Sequence, residues 1–143
     1  MQTLTLNLAS TIVDHALEKM NAIGCQPLTV AVLDTGGHLL VLKRADGSGI
    51  LRPDIAIAKA WGVLGMGLGG RQLAQRAEAA PAFFAALSSI SGGRIAPVQG
   101  GVLVRNDEGT VVGSVGISGD RSDVDETCAI YAIERAGLFA DAG

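Results

Sequence analysis

The sequence predicts an α+β fold in which an antiparallel sheet of about five strands is flanked by helices on both sides. Three observations predict it. Two β-branched, apolar segments pair around glycine-containing turns, at Leu28–Leu42 and at Val102–Ile117. Apolar residues recur at helical spacing before, between and after these hairpins. The glycines concentrate in the second hairpin: eight of the chain's 20 fall between Ser91 and Gly119.

The elements follow in order. Thr5 to Ile23 reads as the first helix, with Thr5 as N-cap and Leu8, Ile12, Val13, Ala16, Leu17, Met20 and Ile23 on one stripe. Gly24 ends it. His15 lies off the stripe between Asp14 and Glu18 and reads as a surface residue. Leu28–Leu33 and Leu39–Leu42 are strands joined by Asp34-Thr35-Gly36-Gly37, where Gly-Gly supplies positive φ and Asp34 can cap its own turn. His38 leaves this turn, a position suited to a metal or heme ligand or a proton-transfer group as well as to plain solvent exposure. Asp34-Thr35-Gly36 resembles the catalytic triplet of aspartic proteases, but those enzymes are almost wholly β and more than half of this chain is helical in pattern.

Lys43 to Gly49 is a polar loop, and Arg52-Pro53-Asp54 starts a helix whose body, Ile55 to Met66, is apolar nearly all round. Lys59 is the only charge in that body; it either snorkels outward or pairs with an acidic group of a ligand or of the protein. Arg52 stands at the helix start, which favours anions. Gly65 to Gly70 satisfies G-x-G-x-x-G but ends a helix instead of following a strand, so it reads as a flexible loop or lid. Arg71–Ala80 is helical, and Pro81 restarts a helix carrying Phe83 and Phe84. These rings and Trp61 are candidates for the wall of a flat ligand's site, or for plain core. Gly92-Gly93 and Arg94 form the entry loop of the second hairpin, read as part of a binding site where the paired glycines let backbone approach closely, with an extra strand expected at Ala96–Gln99. Asn106 to Gly109 is the hairpin turn. The last helix, Asp123–Ala136, has a capping-box pattern in Ser122 and Asp125, and Gly137 ends it. Its acidic first turn suits the helix dipole, while Asp120 or Glu126 could serve as a base or a metal ligand.

Composition bounds the function. A chain of 143 residues is expected to be one domain, residues 1–143. Net charge of −3 with no basic cluster disfavours nucleic acid. Charged residues are 17%, against an average of about 25%, and hydrophobic residues 48%, which predicts apolar surface covered by further copies of the chain. No stretch suits a membrane span or a signal peptide. Cys25 and Cys128 form no CxxC pair, so the expectation is a cytoplasmic protein with reduced thiols.

Four segments, in order, resemble the GlcG/HbpS family: Ala31–Leu39, Asp54–Ala60, Gly92-Gly93 through Gly100-Gly101-Val102, and Gly113–Gly119. That family is described as heme-binding or heme-degrading and also occurs as the C-terminal domain of corrinoid adenosyltransferases. The resemblance implies a profilin-like fold, a five-stranded antiparallel sheet between helices, assembled into homo-oligomers. Heme is the implied cofactor, with His38 the better placed of the two histidines as metal ligand. Read from the residues, Arg52, Lys59 and Arg94 could hold the carboxylates of heme or of a small organic acid, with Trp61, Phe83 and Phe84 as apolar wall. Two further readings stay open: a cofactor-independent enzyme acting on a small acid through Asp34, His38 or Glu126, and an oligomeric module that binds a metabolite without turnover.

Overall fold

The computed structural model describes residues 3–143. The elements run α1 (Leu6–Ile23), β1 (Thr29–Asp34), β2 (Leu39–Arg44), α2 (Arg52–Met66), α3 (Gly70–Ala79), α4 (Pro81–Ile90), β3 (Gly101–Arg105), β4 (Val111–Ser118), α5 (Ser122–Arg135) and β5 (Phe139–Asp141). The strands form one sheet in the order β2-β1-β4-β3-β5, antiparallel at every neighbour. The α+β, profilin-like architecture predicted from sequence is the one found.

Strand alternation sorts the side chains onto two faces. Val30, Val32, Val102, Val104, Val115 and Ile117 point toward α1 and α5, where they meet Ile12, Val13, Ala16, Ala129 and Ile133 in the main core. Each such Val or Ile side chain taken from water is worth about 1.5–3 kcal/mol. On the other face Leu103 joins Val63, Leu73 and Phe84 beneath α2, α3 and α4. Ser114 faces the same way and donates its hydroxyl to the Ala60 carbonyl, 2.7 Å away.

The glycines of β3 and β4 explain how α2 reaches the sheet. A Cβ on Gly116 would stand 1.9 Å from the Ala56 carbonyl oxygen and 2.8 Å from the Ala60 nitrogen. Helix backbone therefore rides directly on strand backbone, a contact that only glycine permits.

Local signals hold in most places. Thr5 accepts a hydrogen bond from the Leu8 N–H at 3.2 Å, and Gly24 closes α1 in the left-handed conformation. Asn106 closes the β3–β4 turn by accepting from the N–H groups of Glu108 and Thr110, each at 3.0 Å.

Three expectations need correction. The fifth strand is Phe139–Asp141, paired with β3, and residues 96–99 form no strand. Pro97 has no N–H to offer a ladder, and Ala96 instead donates to the Ala58 carbonyl of α2 at 3.4 Å. The Gly65–Gly70 run is not a loose lid: α2 continues to Met66, Gly67 caps it, and α3 begins at Gly70, tucked against the Val98 carbonyl. The capping box is absent as well. Arg121, whose side chain has no acceptor to offer, is the N-cap of α5, Ser122 falls inside the helix, and Asp125 turns inward to other partners.

Candidate functional site

The β1–β2 turn is built around one carboxylate. Asp34 Oδ1 accepts from the Gly36 N–H at 2.9 Å, the His38 N–H at 3.0 Å and the His38 ring Nδ1 at 3.2 Å. These bonds, the His38 backbone N–H foremost, hold its carboxyl below the usual range. The His38 side chain is 80% exposed, and with Nδ1 turned to Asp34 the ring offers Nε2 to an outside partner.

The same turn lies against α2. Gly37 has φ of +79° and a Cβ there would meet the Trp61 ring nitrogen at 2.8 Å, so the glycine serves both the turn and the indole's seat. On Trp61 rests the guanidinium of Arg94, its Cζ 4.1 Å from the ring centroid. Arg94 is fixed at its other edge by donating Nε to the Ser91 carbonyl at 2.7 Å. Gly92 and Gly93 both take positive φ, 66° and 80°, which turns the chain out of α4 and back toward α2.

Two shallow clefts flank this stack. One, of about 310 Å³, is lined by Asp54, Ile57, Ala58, Gly92, Gly93 and Arg94. The other, of about 130 Å³, is lined by Thr35, Gly36, Gly37, Trp61, Leu64 and Gly65. Trp61 walls the second, Arg94 the first, and their stack joins the two. Of the residues singled out from sequence, Asp34, His38, Trp61, Gly92, Gly93 and Arg94 thus gather on one surface.

The remaining candidates lie elsewhere. Arg52 donates Nη1 to the Ser118 hydroxyl at 3.1 Å. Lys59 is 3% exposed and turns inward, donating to the Ile117 carbonyl at 2.9 Å and to Asp125 Oδ2 at 3.1 Å. Burial lowers the Lys59 pKa and raises that of Asp125; the attraction between them opposes both shifts without cancelling either. The three cations therefore do not converge: one bonds a strand hydroxyl, one is neutralised within the chain, and one lies on Trp61. Glu126 is buried, gripped by the Arg71 guanidinium and receiving Gln99 Nε2 at 3.3 Å. It clasps α3 to α5.

The aromatic wall also divides. Phe83 and Phe84 meet edge to face, centroids 5.9 Å apart, and line a separate apolar cleft with Met66 and Arg76. Phe84 belongs to the core under α4, whereas Phe83 is 55% exposed. Among the described residues, no group of three or more His, Cys, Asp and Glu side chains could hold a metal ion, and no helix is long and apolar enough to cross a membrane.

Sequence reasoning missed Asp54 and Ile57 as lining residues. The signal was present: positions 54, 57, 58 and 61 form one stripe at helical spacing, and Trp61 was already a candidate. Asp125 as the partner of Lys59 had no such signal, because 66 residues separate them.

Comparison with known proteins agrees with this architecture. No curated protein sequence matches. Among solved structures, the heme complex of PduOC superposes with a TM-score of 0.85 at 23% identity, covering 96% of this chain and 97% of that one. HbpS superposes with a TM-score of 0.77 at 31% identity over 96% of this chain and 89% of that one. A double mutant of Streptomyces reticuli HbpS gives 0.81 at 30% identity, over 94% and 88%. The family model described as "Haem degrading protein HbpS-like" matches residues 4–134, and the chain belongs to this HbpS-like family.

Proposed function

We propose that the chain binds heme, or a related flat ligand bearing carboxylates, on the Trp61–Arg94 surface, with His38 as the iron ligand. One observation carries the reading: a guanidinium held over the chain's single indole, next to a turn that orients an exposed imidazole. The chemistry of these donors fits the group. Arg94 would pair with a propionate through its fork of N–H donors. Trp61, Ile57 and Leu64 supply apolar contact. His38 keeps one nitrogen on a carboxylate, the arrangement that fixes ring orientation and raises ligand basicity at metal sites. Bound heme would supply iron redox chemistry; the chain's own residues bind and orient it. Kinship with HbpS and the heme complex of a structural relative support the choice of ligand.

The surface is one wall. Its clefts, about 310 and 130 Å³, sit at or below the ~300–1,000 Å³ that encloses a drug-sized ligand. A second copy of the chain completes it in our reading, which accords with the strongly exposed Ile50 (89%), Ile90 (78%) and Leu51 (65%). The protein is then a homo-oligomer, which we place in the cytoplasm, without a membrane or nucleic-acid partner. Sedimentation at several protein concentrations checks the assembly.

Titrating hemin into the protein tests the ligand. A Soret band that saturates, and that shifts or disappears in His38→Ala, is the expected result. Hemin binding no better than to a non-specific control protein overturns the reading. The Asp34–His38 contact favours a second reading, a cofactor-independent enzyme or non-catalytic module for a small organic acid, in which His38 oriented by Asp34 acts as the base or binds the acid. A thermal-shift screen of small carboxylic acids, followed by turnover assays on each hit, separates these from heme binding.

A further inference from the structure

A cavity larger than either of those clefts lies at the other end of the β1–β2 pair from the Trp61–Arg94 surface. It measures about 690 Å³, opens to solvent between α1 and β2, and is lined by Met20, Cys25, Lys43, Arg44 and Asp46 among others. Cys25, half-buried in the linker between α1 and β1, lies at its wall and packs against the core cluster that contains Cys128 of α5. Cys128 has no exposed surface. Each thiol is among the groups that shift the other's ionisation, which accords with the packing of Cys25 against the cluster that holds Cys128. One thiol is therefore reachable from a cavity and the other lies in the core against which it packs. The linker that carries Cys25 is non-helical; the Cys25 thiol donates to the Met20 carbonyl at 3.9 Å, the Gln26 N–H to Asp120 at 2.8 Å and the Leu28 N–H to the Met20 sulfur at 3.3 Å.

We propose that Cys25 and Cys128 form a reversible oxidation site, joined by a disulfide when a hydroperoxide enters the cavity. The Cys25 sulfur attacks the hydroperoxide; an S–O bond forms, the O–O bond breaks, and the departing oxygen leaves as alcohol or water with the thiol's proton. The Cys128 sulfur then attacks the Cys25 sulfenic acid. An S–S bond forms, the S–O bond breaks, and hydroxide leaves with the Cys128 proton as water. Two thiols lose two electrons, and the hydroperoxide accepts them. The product ties the linker after α1 to the middle of α5, two elements that already share one face of the sheet.

The surroundings make this a slow lock, not a fast scavenger. Burial first and then the charge of Asp120 hold Cys25 in its thiol form. Burial, Cys25 and Asp125 push Cys128 up to about 12, against a lesser opposing effect of Lys19. The cavity's own cations do not help: Lys43 is paired with Asp14 at 2.8 Å and Arg44 donates to the Ser48 carbonyl at 3.0 Å. Attack requires the thiolate, so the reaction proceeds through a minor population.

The test uses the full chain, reduced and then exposed to hydrogen peroxide, followed by intact mass measurement and non-reducing peptide mapping. The expected result is a loss of two hydrogen atoms per chain and a linked peptide pair containing Cys25 and Cys128. Dithiothreitol should reverse it, and the oxidised protein should melt at a higher temperature. Cys25→Ser and, separately, Cys128→Ala should each abolish the link; Cys25→Ser changes only a linker residue and keeps the helical circular dichroism that shows it folded. An unchanged mass overturns the proposal. So do oxygen atoms added without the link, or a link found only between chains.

Discussion

Lys59 and Asp125 offer the most decisive perturbation, because each is the opposite charge hydrogen-bonded to the other in a dry site. Replacing Lys59 by Met keeps the stem that packs beneath Gly100, where a Cβ would stand 3.1 Å from the lysine Cδ. It removes the ammonium and both of its bonds, to Ile117 O and Asp125 Oδ2. Asp125 is 1% exposed and is left with one donor, the Asp120 N–H at 3.0 Å. An unpaired buried charge of this kind costs about 3–5 kcal/mol. At roughly 3 °C per kcal/mol for a chain of this size, the melting temperature should fall by about 10 °C.

The loss depends on pH, and its sign follows from Asp125. Burial already raises its pKa in the presence of Lys59; without Lys59 it rises further above the unfolded value of about 3.9. A group with a raised folded pKa stabilises fully below its unfolded pKa and loses that contribution as pH climbs through the folded pKa. Lys59→Met should therefore be nearly harmless near about pH 4 and fully destabilising near about pH 8. The double variant Lys59→Met with Asp125→Asn should recover most of the loss, since no charge is then stranded. Urea denaturation at fixed protein concentration reads all three proteins. A single variant within about 1 kcal/mol of wild type near pH 8, or a loss independent of pH, would refute the argument.

Other outcomes follow from the same geometry. Gly116→Ala should lose about 3 kcal/mol or fail to accumulate as soluble protein, because its methyl group would fall 1.9 Å from the Ala56 carbonyl; an unchanged urea midpoint contradicts the strand-to-helix contact. Asp34 carries a lowered pKa, so its stabilising effect is present above the unfolded pKa and lost as pH falls through the folded value. Asp34→Asn should accordingly be less stable than wild type at neutral pH, with the gap closing in acid, as paired denaturation curves will show. Arg94→Ala removes the cation from the only indole in the chain; tryptophan emission should change, and hemin should bind more weakly while the melting temperature moves little.

Much of the fold was legible in order along the chain. Thr5, Gly24, the Asp34–Gly37 turn and the Asn106–Gly109 turn act through neighbours within a few residues, so local sequence specifies them. Alternating Val and Ile in β1, β3 and β4 specified a sheet with apolar faces. His38, Trp61, Gly92, Gly93 and Arg94 could be named as candidates from residue type alone. Tertiary structure decided who meets whom. It laid Arg94 on Trp61, sent Lys59 to Asp125 instead of outward, moved Phe83 and Phe84 to a different cleft, and drew the fifth strand from a three-residue segment too short to show a period. The physical reason is range. Caps, turns and alternation are set by chain geometry over a few residues, whereas a buried ion pair or a cation on a ring depends on which elements the closed sheet brings together.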